Sequence, residues 1–320
     1  MMEIWVNPLL LGIGGAHIDR RGRLLDSYIP AASNPGAVTE DIGGGMFNAM
    51  RSAVQRGCRG GVLSVRGGDQ AGESVAAALA DWNISDHSAV FLDRRTASYT
   101  AVLDQNGDLL VGLADMAIYD SCFARQLRRR HVVERIEEAN SVLVDANLPS
   151  PALESVVQQA ARNEKPLYLI AISPAKVVRA LPYLTAFDGL FLNRCEVAAL
   201  CPDAPVEAAG TVAALRNVGI RRAVITNGAH PAIVFDAHEI AEIAPAKDAT
   251  VVDVTGAGDS LAGTAIAGLM RGLSFFRAAR EGLAAATITI ASDKAVPNLA
   301  PEIFAPSLAR IGQIRILQNA

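Results

Sequence analysis

Short apolar runs of strand length alternate along this chain with stretches of helical spacing, and that rhythm restricts the fold more than any other feature. The runs are Leu9–Ile13, Val62–Val65, Ser141–Val144, Leu167–Ile172, Leu190–Leu192 and Ala223–Thr226. Between them, Met46, Ala49, Met50, Ala53 and Val54 follow helical spacing up to Gly57. Ser74–Trp82 and Glu207–Val218 read as further helices. Strands that are apolar throughout belong in sheets buried on both faces, which are mostly parallel and covered by helices. The expected class is therefore α/β, with a mostly parallel central sheet. A hydrophobic fraction of 51% supplies the core that such a fold needs. No fixed-period repeat or low-complexity linker divides the chain, so one domain over residues 1–320 is expected.

Two segments break the rhythm. Residues 18–40 mix charge with Ser, Asn and Pro. Residues 91–116 carry Asn106-Gly107 between two alternating runs, which is a hairpin signal. Together the segments are expected to build a small sheet projecting from the main domain; an ordinary surface hairpin is the alternative.

Several functions are disfavoured. A net charge of −4 argues against a general binder of nucleic acid or anionic membrane. Aromatic residues make up 5%, too few for base-stacking platforms. Cys58, Cys122, Cys195 and Cys201 form no CxxC pair, which suits a reducing compartment. The five histidines are scattered and suggest no metal site. Pro8–Ile13 is of strand length, not membrane length, and no basic, apolar leader precedes it. Cytoplasmic residence is the expectation.

The chemistry concentrates in Asp253-Val254-Thr255-Gly256-Ala257-Gly258-Asp259-Ser260. The run follows Val251-Val252, read as the end of a strand, and opens a buried helix over Leu261–Leu269. Unpaired N–H groups of a helix's first turn attract an anion. Gly256, Ala257, Gly258 and Asp259 would form such a cradle. A carboxylate beside a bound phosphate is repelled unless it has chemical work there, and Asp259 would accept a proton from a hydroxyl attacking that phosphate. The competing reading is a tight turn with a first-turn acid.

Other candidates lie at strand ends or helix starts. Gly43-Gly44-Gly45-Met46-Phe47-Asn48 opens the first helix, with Asn48 offering both donor and acceptor. Asp19 follows the first strand, where a carboxylate can accept two hydrogen bonds from a vicinal diol; a solvated loop acid is the alternative. Gly12-x-Gly14 lacks the third glycine of a dinucleotide fingerprint, since His17 stands there. Asn193-Arg194-Cys195-Glu196 reads either as a Mg²⁺-organising pair or as a helix cap with its capping-box acid. Arg125, Arg128, Arg129 and Arg130 read as a solvated helix face.

Taken together, Asp-Val-Thr-Gly-Ala-Gly-Asp-Ser, the Gly-Gly-x-x-x-Asn run at 44–48, Gly68-Asp69-Gln70-Ala71-Gly72, Asn193-x-x-Glu196 and Thr226-Asn227-Gly228 occur in the order of the PfkB, or ribokinase-like, carbohydrate kinases. The chain resembles that family over nearly its whole length. The resemblance implies a three-layer α/β/α fold and a β-sheet lid formed by about 18–40 and 91–116, often paired with a second subunit. It implies ATP as co-substrate and phosphoryl transfer to an alcohol. Asp259 would be catalytic. Asp19, Gly44, Gly45 and Asn48 would hold sugar hydroxyls. Asn193, Thr226, Gly228, Gly256 and Gly258 would meet ATP, and Glu196 would order Mg²⁺ through water. The Asp253 side chain and the Thr255 carbonyl correspond to ligands of a monovalent cation, K⁺, in many relatives.

Ser33-Asn34-Pro35-Gly36, the segment Thr96–Asp104 with Gly107–Val111, and Asp145-Ala146-Asn147-Leu148 are similar to the pseudouridine kinase branch. That implies phosphorylation of a ribosyl 5′-hydroxyl, with Asn147 facing the base or a sugar hydroxyl. His17 departs from the asparagine usual in that branch. Ribose, fructose or a purine nucleoside as acceptor, and a non-catalytic sugar- or nucleotide-binding regulator, are the alternatives.

Overall fold

The computed structural model describes residues 7–319. Residues 1–6 and 320 of the expected domain lie outside that part, and with them any reading of a leader.

Among the described residues, ten strands form the main sheet. Its seven parallel strands run, in spatial order, Ile84–Asp86, Arg59–Leu63, Leu9–Ile13, Ser141–Asp145, Leu167–Ile170, Gly189–Asn193 and Ala223–Asn227. His230–Phe235, Glu239–Ile243 and Arg315–Asn319 extend it antiparallel. The expected α/β class with a mostly parallel sheet is the observed one. Its apolar strands feed both faces. Leu11 and Ile13 pack into one core with Val142 and Val144, whereas Leu10 and Leu143 of the same two strands pack into the other. That is the side-chain alternation of a strand covered twice.

Helices Gly45–Gln55, Ala257–Met270 and Phe275–Ile290 cover the second core. The first two touch backbone to backbone: a Cβ on Gly263 would collide with the Ala49 carbonyl. Small residues at 257–268 permit this approach and thereby fix the two helix N-termini relative to each other.

His17–Leu24, Gly36–Gly43, Ser98–Leu103 and Leu109–Asp115 form a separate four-stranded sheet, with Gly36–Gly43 and Leu109–Asp115 at its edges. Asn106 and Gly107 turn the chain between its last two strands. Leu109, Val111 and Leu113 of one edge and Val38 of the other are solvent-exposed.

One expected strand is divided. Val62–Val65 breaks at Ser64, and Val65–Gly67 pairs instead with Ala89–Phe91 in a small second sheet. The Leu63 carbonyl accepts from Gly14 N–H, and Ser64 N–H donates to Ser88 Oγ, so the ladder hands over to local partners there. No helix of the described residues is long and apolar enough to cross a membrane.

Candidate active site

The expected site residues gather beyond the carboxyl ends of the parallel strands, where open α/β sheets hold ligands. Helix Ala257–Met270 begins there. Gly256 caps it at φ +78°, a conformation costly for any residue with a Cβ, and a Cβ would also strike the Ala295 carbonyl. Ser260 N–H closes the helix onto Gly256 O at 2.8 Å, and Ala257 N–H donates to Val254 O at 3.3 Å. The amides of Gly258 and Asp259 have no protein partner among the described residues.

The approach to this turn differs from the sequence expectation. Val251 and Val252 are no strand; they are 62% and 58% exposed in a loop. Val252 N–H donates to Ile290 O at 2.7 Å, so the loop rests on the end of helix Phe275–Ile290 rather than on a sheet. Two β-branched residues mimic a strand in sequence, yet no neighbouring strand is placed to pair with them.

Asp259 lies in the first turn. Its carboxylate accepts from Asn48 Nδ2 at 2.9 Å, and Asn48 Oδ1 accepts from Arg51 at 2.5 Å. Burial, reinforced by the nearby charges of Asp145 and Asp19, pushes the Asp259 pKa up to about 7, against the Asn48 bond and the Arg51 charge. Arg51 stacks over Phe47, 4.5 Å from the ring centroid.

Asp145 holds the floor of the site, a role that sequence reasoning misses. It is fully buried and accepts from the N–H groups of Gly15 at 2.8 Å, Met46 at 3.1 Å and Asn147 at 2.9 Å. It thereby ties the end of strand Leu9–Ile13 to helix Gly45–Gln55, which Gly44 caps. Burial raises its pKa against those bonds. The signal for it is a carboxylate closing the otherwise apolar run Ser141–Val144.

His17 and Asp19 start the small sheet. His17 Nε2 lies 3.3 Å from Asp19 Oδ1, and Nδ1 lies 3.1 Å from the buried Tyr119 hydroxyl, which donates to Ala16 O. Asp19 packs directly against Gly43, just ahead of Gly44 and Gly45. Asn147 is buried beside Gly15, and its Oδ1 accepts from Lys176 Nζ at 2.5 Å. Lys176 carries no sequence signal of its own, and neither does Arg179, which donates to Asn147 O at 3.1 Å.

The remaining candidates stand on neighbouring strands. Asn193 and Thr226 pair directly in the register of Gly189–Asn193 with Ala223–Asn227, and Gly228 follows in the turn. Asn193 and Glu196 form the capping box, one of the two expectations for that tetrad: Glu196 N–H donates to Asn193 Oδ1 at 2.9 Å, and Asn193 N–H to Glu196 Oε2 at 2.7 Å. Burial pushes the Glu196 pKa up to about 6. Asp253 is fully engaged: its Oδ1 accepts from Thr255 N–H and Oγ1, and its Oδ2 pairs with Arg21 at 2.7 Å. The arginines at 125 and 128–130 fall on helices Ala117–Gln126 and Arg130–Glu138 and the turn between them. Arg125, Arg128, Arg129 and Arg130 are exposed there, as expected.

The chain is similar to known proteins along most of its length. The profile of the "pfkB family carbohydrate kinase" matches residues 9–302. The pseudouridine kinase of Escherichia coli is 29% identical over 260 residues, 78% of this chain and 80% of that protein. The guanosine-inosine kinase of Exiguobacterium acetylicum is 25% identical over 298 residues, 91% and 97% of the two chains. Among solved structures, a carbohydrate kinase from Agrobacterium tumefaciens superposes with a TM-score of 0.87 at 40% identity, covering 97% of this chain and 100% of that one. The Arabidopsis thaliana ribokinase complexed with ribose and ATP superposes with a TM-score of 0.83 at 18% identity over 95% and 99%, a likeness of fold.

Proposed function

The chain belongs to the pfkB family of carbohydrate kinases and is an ATP-dependent kinase; from that premise we propose that it phosphorylates the 5′-hydroxyl of a ribosyl substrate, converting pseudouridine to pseudouridine 5′-phosphate. The observation that carries this reading is the Asp259 carboxylate, held by Asn48 beside the free amides of Gly258 and Asp259. The acceptor oxygen attacks the terminal phosphorus of ATP. An O–P bond forms, the bond to the bridging oxygen breaks with its electron pair leaving on ADP, and the hydroxyl proton passes to Asp259. The free amides of Gly258 and Asp259 face the charge of the transferring group with fixed donors, whereas the Ala257 amide expected to join them is taken by Val254 O.

On the acceptor side, Asp19 grips a vicinal diol with His17 behind it, and Gly44 and Gly45 bring backbone close to the sugar. Lys176 takes the oxygen of Asn147 and the Asp145 carboxylate engages its side-chain amide, so at most one N–H of that amide is offered to substrate. A uracil carbonyl is a fitting acceptor for it. The relationship to the guanosine-inosine kinase supports a purine nucleoside as the second reading.

Thr226, Gly228 and Asn193 would flank the nucleotide. Mg²⁺ would be ordered through water by Glu196: the capping box takes the Asn193 amide oxygen and Glu196 Oε2, and Oε1 is the hard oxygen left for an ion that keeps most of its waters. When bound, Mg²⁺ neutralises phosphate charge. K⁺ at Asp253 and the Thr255 carbonyl belongs to this reading only in a state where Arg21 has released Asp253. The small sheet acts as a lid that excludes water, and its exposed apolar edges suit a second copy of the chain. Dependence on ATP favours the cytoplasm.

ADP release measured with pseudouridine, guanosine, inosine, ribose and fructose, with and without K⁺, tests the reading. Turnover chiefly of pseudouridine is expected. Preference for a purine nucleoside would replace the substrate, and no turnover of any ribosyl compound would remove the reading.

A further inference from the structure

We propose that Arg51 is a positioning residue that locks the Asn48 amide in one orientation and so sets both the geometry and the proton affinity of Asp259. The inference rests on Asp259 being the proton acceptor. An amide has one oxygen and one nitrogen end. The guanidinium of Arg51 holds the oxygen of Asn48 at 2.5 Å, which leaves the nitrogen for Asp259 Oδ2 at 2.9 Å. The flipped amide would set oxygen against carboxylate and N–H against guanidinium, two repulsions at once. With Oδ2 occupied, Oδ1 is the carboxylate oxygen left to meet a hydroxyl.

The charges around the pair assign Arg51 a second effect. Asp259 faces Asp145 from strand Ser141–Asp145, Asp19 from strand His17–Leu24, and Arg51 from helix Gly45–Gln55. Arg51 in turn faces Asp259, Asp19 and Asp41. Two carboxylates therefore oppose ionisation of Asp259, and Arg51 is the cation that favours it. An arginine suits this role, because burial pulls its pKa down only to about 10 and it stays charged at neutral pH. Contact with the rings of Phe47 and Trp82 holds the guanidinium in place. In sequence, Arg51 is one polar residue of an amphipathic helix.

The test uses Arg51→Met, Arg51→Lys and wild type. The kcat of ADP release should rise with pH through the Asp259 pKa. In Arg51→Met that limb should move to higher pH by about one unit, as the loss of a nearby opposite charge predicts. The rate should fall roughly tenfold below the limb and little above it, with the ATP KM unchanged. In Arg51→Lys, which keeps a charge and loses the fork, the shift should be smaller. Combining Arg51→Met with Asn48→Ala should produce less than the sum of the two effects.

A readout independent of turnover is the titration of the Asp259 carboxyl by ¹³C NMR, assigned against Asp259→Asn. It should move upward in both Arg51 variants, and Arg51→Lys decides the matter if Arg51→Met does not fold. An unmoved carboxyl titration, a rate loss uniform across pH, or full additivity with Asn48→Ala would overturn the proposal. If the carboxyl shifts while wild type phosphorylates no ribosyl compound, the pairing stands and the reading of the site as a ribosyl kinase fails.

Discussion

Asn48 donates to Asp259 across 2.9 Å and 211 positions of sequence, from the first turn of one helix to the first turn of another. The two helices meet at Gly263 and Ala49 with no side chain between them, and Ser52 Oγ donates to Ser260 Oγ at 3.2 Å alongside. The site is thus aligned by a backbone contact one turn beyond Asp259 and next to Asn48.

Gly263→Ala places a methyl group against the Ala49 carbonyl, so the helices must separate. Overpacking of this kind costs about 1–3 kcal/mol. Thermal melting should show a lower Tm, and kcat should fall although no residue of the site is altered. An unchanged Tm together with unchanged kcat would deny the contact its role.

The pH dependence follows from Asp259, whose pKa is pushed up to about 7. A general base works only when deprotonated. Below its pKa the carboxyl already holds a proton and kcat declines; above it kcat reaches a plateau. With saturating substrates, kcat should therefore rise through neutral pH, unlike an ordinary carboxylate whose limb lies near pH ~4. A profile flat from about pH 5 to about pH 8 would contradict the environment described for Asp259.

Asp19→Ala should chiefly impair acceptor binding. Its carboxylate stands next to His17 and Gly43. The acceptor KM should rise at least several-fold, as loss of charge-assisted hydrogen bonds requires, with the ATP KM little changed. An unaltered acceptor KM would count against its place on the sugar.

Lys176→Met releases Asn147 Oδ1 and lets the amide turn. One hydrogen bond is worth about 0.5–1.5 kcal/mol, so the KM of the nucleoside should rise roughly 2- to 10-fold. Ribose, which carries no base, should show little change. Equal effects on both acceptors would place Asn147 on the sugar instead.

Much of this was legible in the chain. The apolar runs marked the central strands because a strand buried on both faces has no polar alternation to hide it. Gly256 stood out because few residue types tolerate a left-handed cap, and Asp259 because it sets an acid in the first turn behind that cap. The remainder depended on contacts that sequence does not encode locally. Arg51 and Asn48 are three residues apart, a helical spacing open to reading, but the burial of the arginine comes from Phe47, Trp82 and the acids around it. Arg21 meets Asp253 across 232 positions, a pairing no local pattern announces. Val251-Val252 misled for the opposite reason: its residue types favour a strand, and only the absence of a neighbouring strand in that place makes it a loop.

The most direct measurement is the turnover of Asp259→Asn, taken together with its affinity for ATP. The substitution keeps the size and the hydrogen-bonding reach of the side chain and removes its capacity to take the proton. A kcat lower by roughly 10²-fold or more is expected, with ATP bound as tightly as by wild type. Near-normal turnover by a folded, ATP-binding variant would contradict it.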